Sequence, residues 1–416
     1  MKKIFYCFCF CLIAFLASSC FSPWRGDSGN LTIVWGNPGH SRAGGSYHEE
    51  DLVEFSYKVT LNGPGGKIEQ EFSSMEGASF SVIPGTWGVT VIGGIYGESI
   101  FEPIQLLVMG IKEIEVKAGE KKIESITLYN AGEVFSWGDL EYWLNDSYYC
   151  PDPTCAKFNY PHEQIILIKR ELEAIEGSED FKKSKNLEML FENPLRIYRS
   201  IILVSEEPVI FKRDEGFTEE FFIVHSEGGS PSRLTLGMPG MSGTITIDGS
   251  DSGNNAEFVS NLSCQAISVG NNGELVMNRG VTIQNNNNQL SNGGAVFVSG
   301  TFTMNGGTIR NNSAGGFDVD DNSPRAGYGG GVYVDYDGKF IMNGGSITGN
   351  SVIGGAIDSP SNPSGDLVDI PSGKGGGVYV VENVLSVGGS TKNFIRNGGT
   401  ISGNKPDQYV IEPPLD

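Results

Sequence analysis

Positive charge is scarce in this chain: 29 Lys and Arg stand against 50 Asp and Glu, for a formal charge of −21. So acidic a chain repels phosphate backbones and anionic head groups, which argues against nucleic acid and against direct binding to lipid surfaces. Histidine is rarer still, with 4 residues, so metal sites built on imidazole have little to draw on. After Leu16 no stretch reaches the roughly 18 apolar residues that a spanning helix needs. The scarcity does not extend to hydrophobic residues, which make up 39% of the chain with 10% aromatics, so cores form and general disorder is excluded. Glycine is in excess: 58 residues, about twice the usual share of ~7%. That excess concentrates after residue 290, which points to architecture and not to flexibility. A length of 416 residues allows two or three domains.

Residues 1–19 read as an export signal: Lys2 and Lys3 precede the apolar run from Ile4 to Leu16, the length of a secretory segment and too short to span a bilayer. The run ends in Ala17-Ser-Ser-Cys20, which resembles a bacterial lipobox. The resemblance implies cleavage before Cys20 and attachment of a diacylglycerol to its thiol, anchoring the chain to the outer membrane. The family pattern usually has Leu three residues before the cysteine, whereas Ala17 stands there, as in the looser lipoboxes of spirochaetes. An ordinary secretory signal is the alternative reading. Cys7, Cys9 and Cys11 fall within the signal, leaving Cys150, Cys155 and Cys264 besides the anchor. In an exported chain, Cys150-Pro-Asp-Pro-Thr-Cys155 suits a small disulfide loop, with free thiols as the alternative. A metal there lacks ligands, since only His162 is near. Arg25-Gly-Asp27 spells a triplet read by integrins elsewhere, but three common residues this close to the anchor are expected by chance.

Residues 20–30 form an anchor linker, and 31–130 alternate as short strands divided by turns. Leu31-Thr-Ile-Val-Trp35 and Phe55-Ser-Tyr-Lys-Val-Thr-Leu61 alternate, and Asn62-Gly-Pro-Gly-Gly66 supplies a tight turn. Further strands follow at Ser79–Ile83, Thr86–Ile92, 114–117 and 123–128. About seven strands at this spacing predict an antiparallel β-sandwich. Pro84-Gly-Thr-Trp-Gly-Val89 and Ala118-Gly-Glu120 resemble the prealbumin-like or Ig-like modules of bacterial surface lipoproteins, which implies a spacer or binding platform. Residues 131–198 read as a partly helical connector and cap, with an amphipathic patch at Trp137–Leu144 and helical patches at Ile165–Ile175 and Leu187–Phe191. Asn193-Pro194 ends it, and the charges of Glu171–Lys185 read as a solvated face.

The last 140 residues repeat on one frame. Phe302-Thr-Met-Asn305-Gly-Gly-Thr-Ile309, Phe340-Ile-Met-Asn343-Gly-Gly-Ser-Ile347 and Phe394-Ile-Arg-Asn397-Gly-Gly-Thr-Ile401 align, and Leu275-Val-Met-Asn278 opens a fourth copy. A second asparagine (Asn312, Asn350, Asn404) lies seven residues after the first. Glycine-led strands precede three copies: Gly293-Gly-Ala-Val-Phe-Val298, Gly329-Gly-Gly-Val-Tyr-Val334 and Gly375-Gly-Gly-Val-Tyr-Val380. Alternate Val, Phe, Met and Ile point to one narrow core that a single copy cannot bury, so successive copies must stack about 4.8 Å apart. The expected fold is therefore all-β: an N-terminal sandwich, then a right-handed parallel β-helix over 199–404 and a tail at 405–416, the hand following the usual crossover rule. Asn305, Asn343 and Asn397 are expected to form an amide ladder at one corner. Thr244-Ile-Thr-Ile-Asp-Gly249 and Phe258-Val-Ser-Asn261 look like earlier, less regular copies. Residues 313–328 and 351–374 break the frame at the same place and are expected as loops on a binding side. The repeats resemble right-handed β-helix surface proteins of spirochaetes and the repeats of chlamydial polymorphic membrane proteins. That family's C-terminal transport barrel has no counterpart here, so lipid anchoring is expected in its place.

Many proteins of this architecture cleave polysaccharides, so a carbohydrate-active lyase or hydrolase is the rival reading. A lyase needs calcium-binding acids beside a base, and a hydrolase needs acids gathered on one face. The repeat strands offer Asn, Ser and Thr instead, and Asp335, Asp337 and Lys339 have no evident partner. Asp318, Asp320, Asp321 and Asn322 are weak calcium candidates in a loop more simply read as solvated. The expectation is no catalytic residue and no cofactor: a cell-surface protein with a binding, adhesion or structural role, its partner a host protein or glycan.

Overall fold

The computed structural model describes residues 28–35, 56–73, 77–94, 107–134, 140, 144, 164–168, 187–191, 194–213, 219–226, 231–249, 265–288, 292–318, 323–352, 355–358, 367–370, 373–381 and 393–412. Their regular structure is almost entirely β-strand, with several parallel sheets.

In the N-terminal part, Gly29–Trp35 pairs antiparallel with Ala78–Val82 and parallel with Lys121–Ile126. A second, antiparallel run holds, in spatial order, Gly66–Phe72, Ser56–Gly63, Gly85–Gly94, Leu107–Val116 and Tyr129–Val134. Alternate residues of both sets meet in one core around Leu31, Ile33, Trp35, Tyr57, Val59, Leu61, Trp87 and Val89. Trp35 packs against Tyr57 and Phe72 with ring centroids 5.7 and 5.5 Å apart. The Trp87 indole N–H donates to the Ile83 carbonyl at 2.8 Å, so the buried ring keeps its polar edge satisfied. Pro64-Gly65 closes the hairpin between Gly63 and Gly66. The edge strand carries Lys67, Glu69 and Glu71, charges that discourage further pairing there.

No break separates these N-terminal strands from the parallel sheets. Tyr129–Val134 is antiparallel to Leu107–Val116 on one side and parallel to Gln164–Ile168 on the other, so one sheet of twelve strands runs through both regions. The helical patches expected at Ile165–Ile175 and Leu187–Phe191 are corrected here: Gln164–Ile168 and Leu187–Phe191 are strands. For the first of them the reason is burial on both faces. Ile166 and Ile168 enter one core while Ile165 and Leu167 enter another, which produces a continuous apolar run with no period of two. Leu140 and Leu144 are helical and buried, and they join the core beside Val134, Ile166 and Leu195. The acidic and basic run Glu171–Lys185 lies outside the described residues, as does Phe258–Asn261.

From Gln164 onward, earlier than the expected 199, the chain adds one strand to each of three parallel sheets on every circuit. The long sheet continues through Ser200–Ser205, Ser232–Leu236, Gly273–Met277, Thr301–Met304, Lys339–Met342 and Phe394–Arg396. The second runs from Leu187–Phe191 through Val209–Arg213, Ile245–Asp248, Val281–Gln284, Thr308–Arg310 and Ser346–Thr348 to Thr400–Ser402. The third runs from Leu195–Ile197 through Phe222–Val224, Ile267–Val269, Val296–Val298, Val332–Val334 and Val378–Val381 to Tyr409–Glu412. Residues 405–416 are thus more than a tail, since Tyr409–Glu412 completes the third sheet. Like residues stack on like in the shared core. Phe302, Phe340 and Phe394 lie ring over ring at 4.8 and 5.2 Å, and Ile309, Ile347 and Ile401 are in register.

The two regions also touch across the outer face of the long sheet. Ile92, Met109, Ile111, Ile165, Leu167, Ile202 and Val204 form a second core there, covered by Met238 and Met241. Gly240 has a positive φ of 106°, and a side chain on it would meet the Lys112 backbone 2.8 Å away, so only glycine allows this approach. Arg279 adds an ion pair to Glu113.

Candidate binding corner

Two asparagine ladders define the corners on either side of the second sheet. Between the long and second sheets each of the last four circuits makes a short Asn-x-Gly turn, whose glycine (Gly280, Gly307, Gly345, Gly399) holds a positive φ of 78–89°. The asparagines of these turns are linked by side-chain amides: Asn305 donates to Asn278 at 3.1 Å, Asn343 to Asn305 at 2.9 Å, and Asn397 to Asn343 at 2.8 Å. Asn305, Asn343 and Asn397 are solvent-exposed.

The second ladder lies deeper. Asn286, Asn312, Asn350 and Asn404 are 0–3% exposed. Each of the first three donates both its backbone N–H and its side-chain amide to the Oδ1 of the next, at 2.9–3.0 Å. Asn404 finds Gln408 Oε1 in place of a further asparagine, at 3.2 and 3.1 Å. The residue before each ladder member is left-handed: Asn285, Asn311, Gly349 and Gly403 have φ of 57°, 55°, 67° and 68°. Asparagine and glycine are the residues that tolerate this turn, which explains the Asn-Asn and Gly-Asn pairs.

Beyond the second ladder the circuits differ in length. Short strands at Asn287–Asn288, Ser313–Ala314 and Ser351–Val352 form a small parallel sheet, after which the chain departs from the stack. The expected loops carry antiparallel hairpins: Gly316–Asp318 with Ser323–Arg325, and Gly355–Asp358 with Leu367–Ile370. Both excursions return at the start of the third sheet, where Tyr328 bridges Lys374. Residues 214–218 and 250–264, which in sequence join the second sheet to the third in earlier circuits, lie outside the described residues.

Beside this corner the outer face of the third sheet carries an aromatic column. Phe297, Tyr333 and Tyr379 occupy one register position on successive strands. Their rings stack at 5.2 and 5.7 Å with planes within 20° and 7°, and Tyr328 packs on Tyr379 at 4.8 Å. Their faces are turned on one another and Tyr379 is buried, so what the column leaves to a partner is confined to the half-buried Phe297, Tyr328 and Tyr333. Burial, reinforced by the nearby charge of Asp335, pushes the Tyr333 hydroxyl up to about 12 against a hydrogen bond with Asn292. Asp335 itself accepts from the Ser299 hydroxyl at 3.2 Å and the Tyr336 N–H at 2.9 Å, and its carbonyl accepts from Gly338. It is a turn-former.

Of the other residues singled out in the sequence, Asp318 ends a hairpin strand. Cys20, Cys150, Cys155, Asp320, Asp321 and Asn322 lie outside the described residues. Among the described residues no three His, Cys, Asp or Glu side chains converge as a metal site, and no helix is long and apolar enough to cross a membrane. Sequence reasoning overlooked the buried ladder and the aromatic column. Signals for both existed, in the seven-residue Asn spacing and in the Val-Phe-Val and Val-Tyr-Val centres of the glycine-led strands. No protein-family model, curated protein or solved structure matches the chain.

Proposed function

We propose that this is an exported cell-envelope protein, lipid-anchored at Cys20, in which a β-sandwich leads into a right-handed parallel β-helix that holds out loops for non-catalytic binding or adhesion. One observation carries this reading: the strands of successive circuits stay in register while the connection from the second sheet to the third varies most in length, and both hairpins lie in that connection, ahead of Tyr333 and Tyr379. A rigid stack with variable loops on one side is the usual arrangement of a binding scaffold. The asparagines at two corners of the stack are engaged in ladders, which favours scaffold over chemistry. The right hand rests on the general preference of parallel crossovers. Export and anchoring rest on residues 1–20, and a host protein or glycan is the partner that this reading implies.

The test is excision. Gly373 packs directly on Val352, so the ends of the second excursion are adjacent and residues 355–370 can be replaced by a short glycine link. Full chain, this deletion and a deletion of 316–325 should be compared for binding to extracellular-matrix proteins and to a glycan array. The expected outcome is that the parent binds, that at least one deletion abolishes binding, and that thermal unfolding is unchanged. Binding that survives both deletions would remove the corner from the proposal.

A further inference from the structure

The chain enters the described fold at one end of the N-terminal strands, and three turns gather there. Gly29 stands opposite Val82 on one neighbouring strand, and Asn30 opposite Lys121 on the other. The turn at 117–120 is fastened to the first strand by the Asn30 N–H, which donates to the Glu120 carbonyl at 2.8 Å. The turn at 83–85 follows directly on Val82, and a side chain on Gly65 of the 63–66 hairpin would meet Ile83 at 3.1 Å. Eight residues separate Cys20 from Gly29, and fully extended they reach about 30 Å. A lipid at Cys20 therefore keeps this end of the strands close to the bilayer.

Charge and polarity differ here from the rest of the molecule. Within 117–122, Lys117, Lys121 and Lys122 stand against Glu120 alone, and Lys67 follows the 63–66 hairpin. Lys117 and Lys121 are exposed and, among the described residues, form no ion pair. The acids set further back are mostly engaged. Glu69 is held between Lys58 and Lys67, Glu124 between Lys112 and Lys122, and Glu113 by Arg279, which leaves Glu115. Residues 21–28 add Arg25 and Asp27, which cancel. In a chain of −21, this end is thus locally positive. Apolar side chains are bare beside it. Ile83 is 55% exposed, and Ile123, two residues along the same outer face from Lys121, is 73% exposed.

Lysines and bare isoleucines side by side suit the interface of a bilayer, where ammonium ends meet phosphates and alkyl groups enter among the head groups. We propose that this end is a second membrane contact, in which Lys117, Lys121 and Lys122 meet anionic head groups while Ile83 and Ile123 dip between them. Its placement rests on the reading of Cys20 as the lipid-bearing residue. A tether alone leaves the fold free to tilt, whereas a tether with an adjacent contact fixes one face toward the bilayer. The acidic remainder of the chain does not cancel the contact, because exposed charges more than about 10 Å away are largely screened at about 0.1 M salt.

Vesicle co-sedimentation tests this on the chain from residue 20 onward carrying Cys20→Ser, so that no lipid is attached and the contact is read without the anchor. This parent should pellet with vesicles of phosphatidylglycerol and phosphatidylcholine in equal parts, stay in solution with phosphatidylcholine alone, and be released from the anionic vesicles by about 1 M salt. Lys117→Gln and Lys121→Gln should each weaken binding about fivefold, the share of one lysine at an anionic surface. Arginine at both positions should retain it, and Ile123→Asp should weaken it. Lys339→Gln, at an exposed lysine of the long sheet, should bind as the parent does. All these side chains are exposed, so thermal unfolding should stay unchanged. A parent that stays in solution with anionic vesicles, or binding untouched when Lys117→Gln and Lys121→Gln are combined, overturns the proposal. Fatty-acid labelling of the chain that keeps Cys20 reports separately on the anchor.

Discussion

At the scale of single residues, one residue type plays two roles that energetics separates. Asn343 sits in an exposed ladder, where a lost amide can be replaced by water, while Asn350 is fully buried. Removing the Asn350 side chain strips the acceptor from both the backbone N–H and the amide of Asn312. A buried unsatisfied group costs about 1–3 kcal/mol, so Asn350→Ala should destabilise by roughly 3 kcal/mol or more, and Asn343→Ala by no more than about 1 kcal/mol. Urea unfolding at unchanged slope measures both. Glu69 gives a second residue-scale expectation. Hydrogen bonds from Lys67 and Lys58 hold its carboxyl at about 2, below the ordinary 4.5. A lowered native value means that the contribution is complete above about pH 4.5 and is lost as the pH falls toward about 2. Its side chain is 39% exposed, so the effect is small and salt-sensitive. Glu69→Gln should flatten that part of the acid stability profile, as seen in unfolding midpoints followed from about pH 5 down to about pH 2. The repeat-corner asparagines were legible from the Asn-Gly-Gly frame. The buried ladder was marked by the recurring second asparagine, but spacing alone does not say on which side of a left-handed turn an amide points.

At the scale of elements, alternation made the strands readable wherever one face is buried. Phe302-Thr-Met304 and Phe340-Ile-Met342 show this, with Phe and Met inside. It failed at Gln164–Ile168, where both faces are buried and the run has neither a strand nor a helix period. Stacking of like on like sets the next expectation. Phe340 lies between Phe302 and Phe394 and is 0% exposed, so Phe340→Ala should cost about 3–5 kcal/mol, as large-to-small changes in packed cores do. Phe394→Ala, at a half-buried position, should cost distinctly less. Denaturant titrations of the two variants measure both costs. The hairpins in 313–328 and 351–374 were legible only as interruptions. Their Gly-, Ser- and Asp-rich sequences lack the alternation that announces a strand, and their pairing is local.

At the scale of the molecule, the expectation of separate spacer, cap and repeat units gives way to one continuous sheet. Tyr129–Val134 joins the N-terminal strands to the parallel stack, and Met238, Met241 and Arg279 reach back onto them. No sequence signal announces such a join, since it depends on which strand edges meet. The proposed role, with the chain anchored through Cys20, needs the variable corner of this scaffold to face outward. Limited proteolysis of intact cells, with detergent-opened cells as control, tests this most directly. The expected result is cleavage within 313–328 or 351–374 on intact cells, leaving the stacked circuits as resistant fragments. Full protection until the envelope is opened would contradict surface display and place the stack on the inner side.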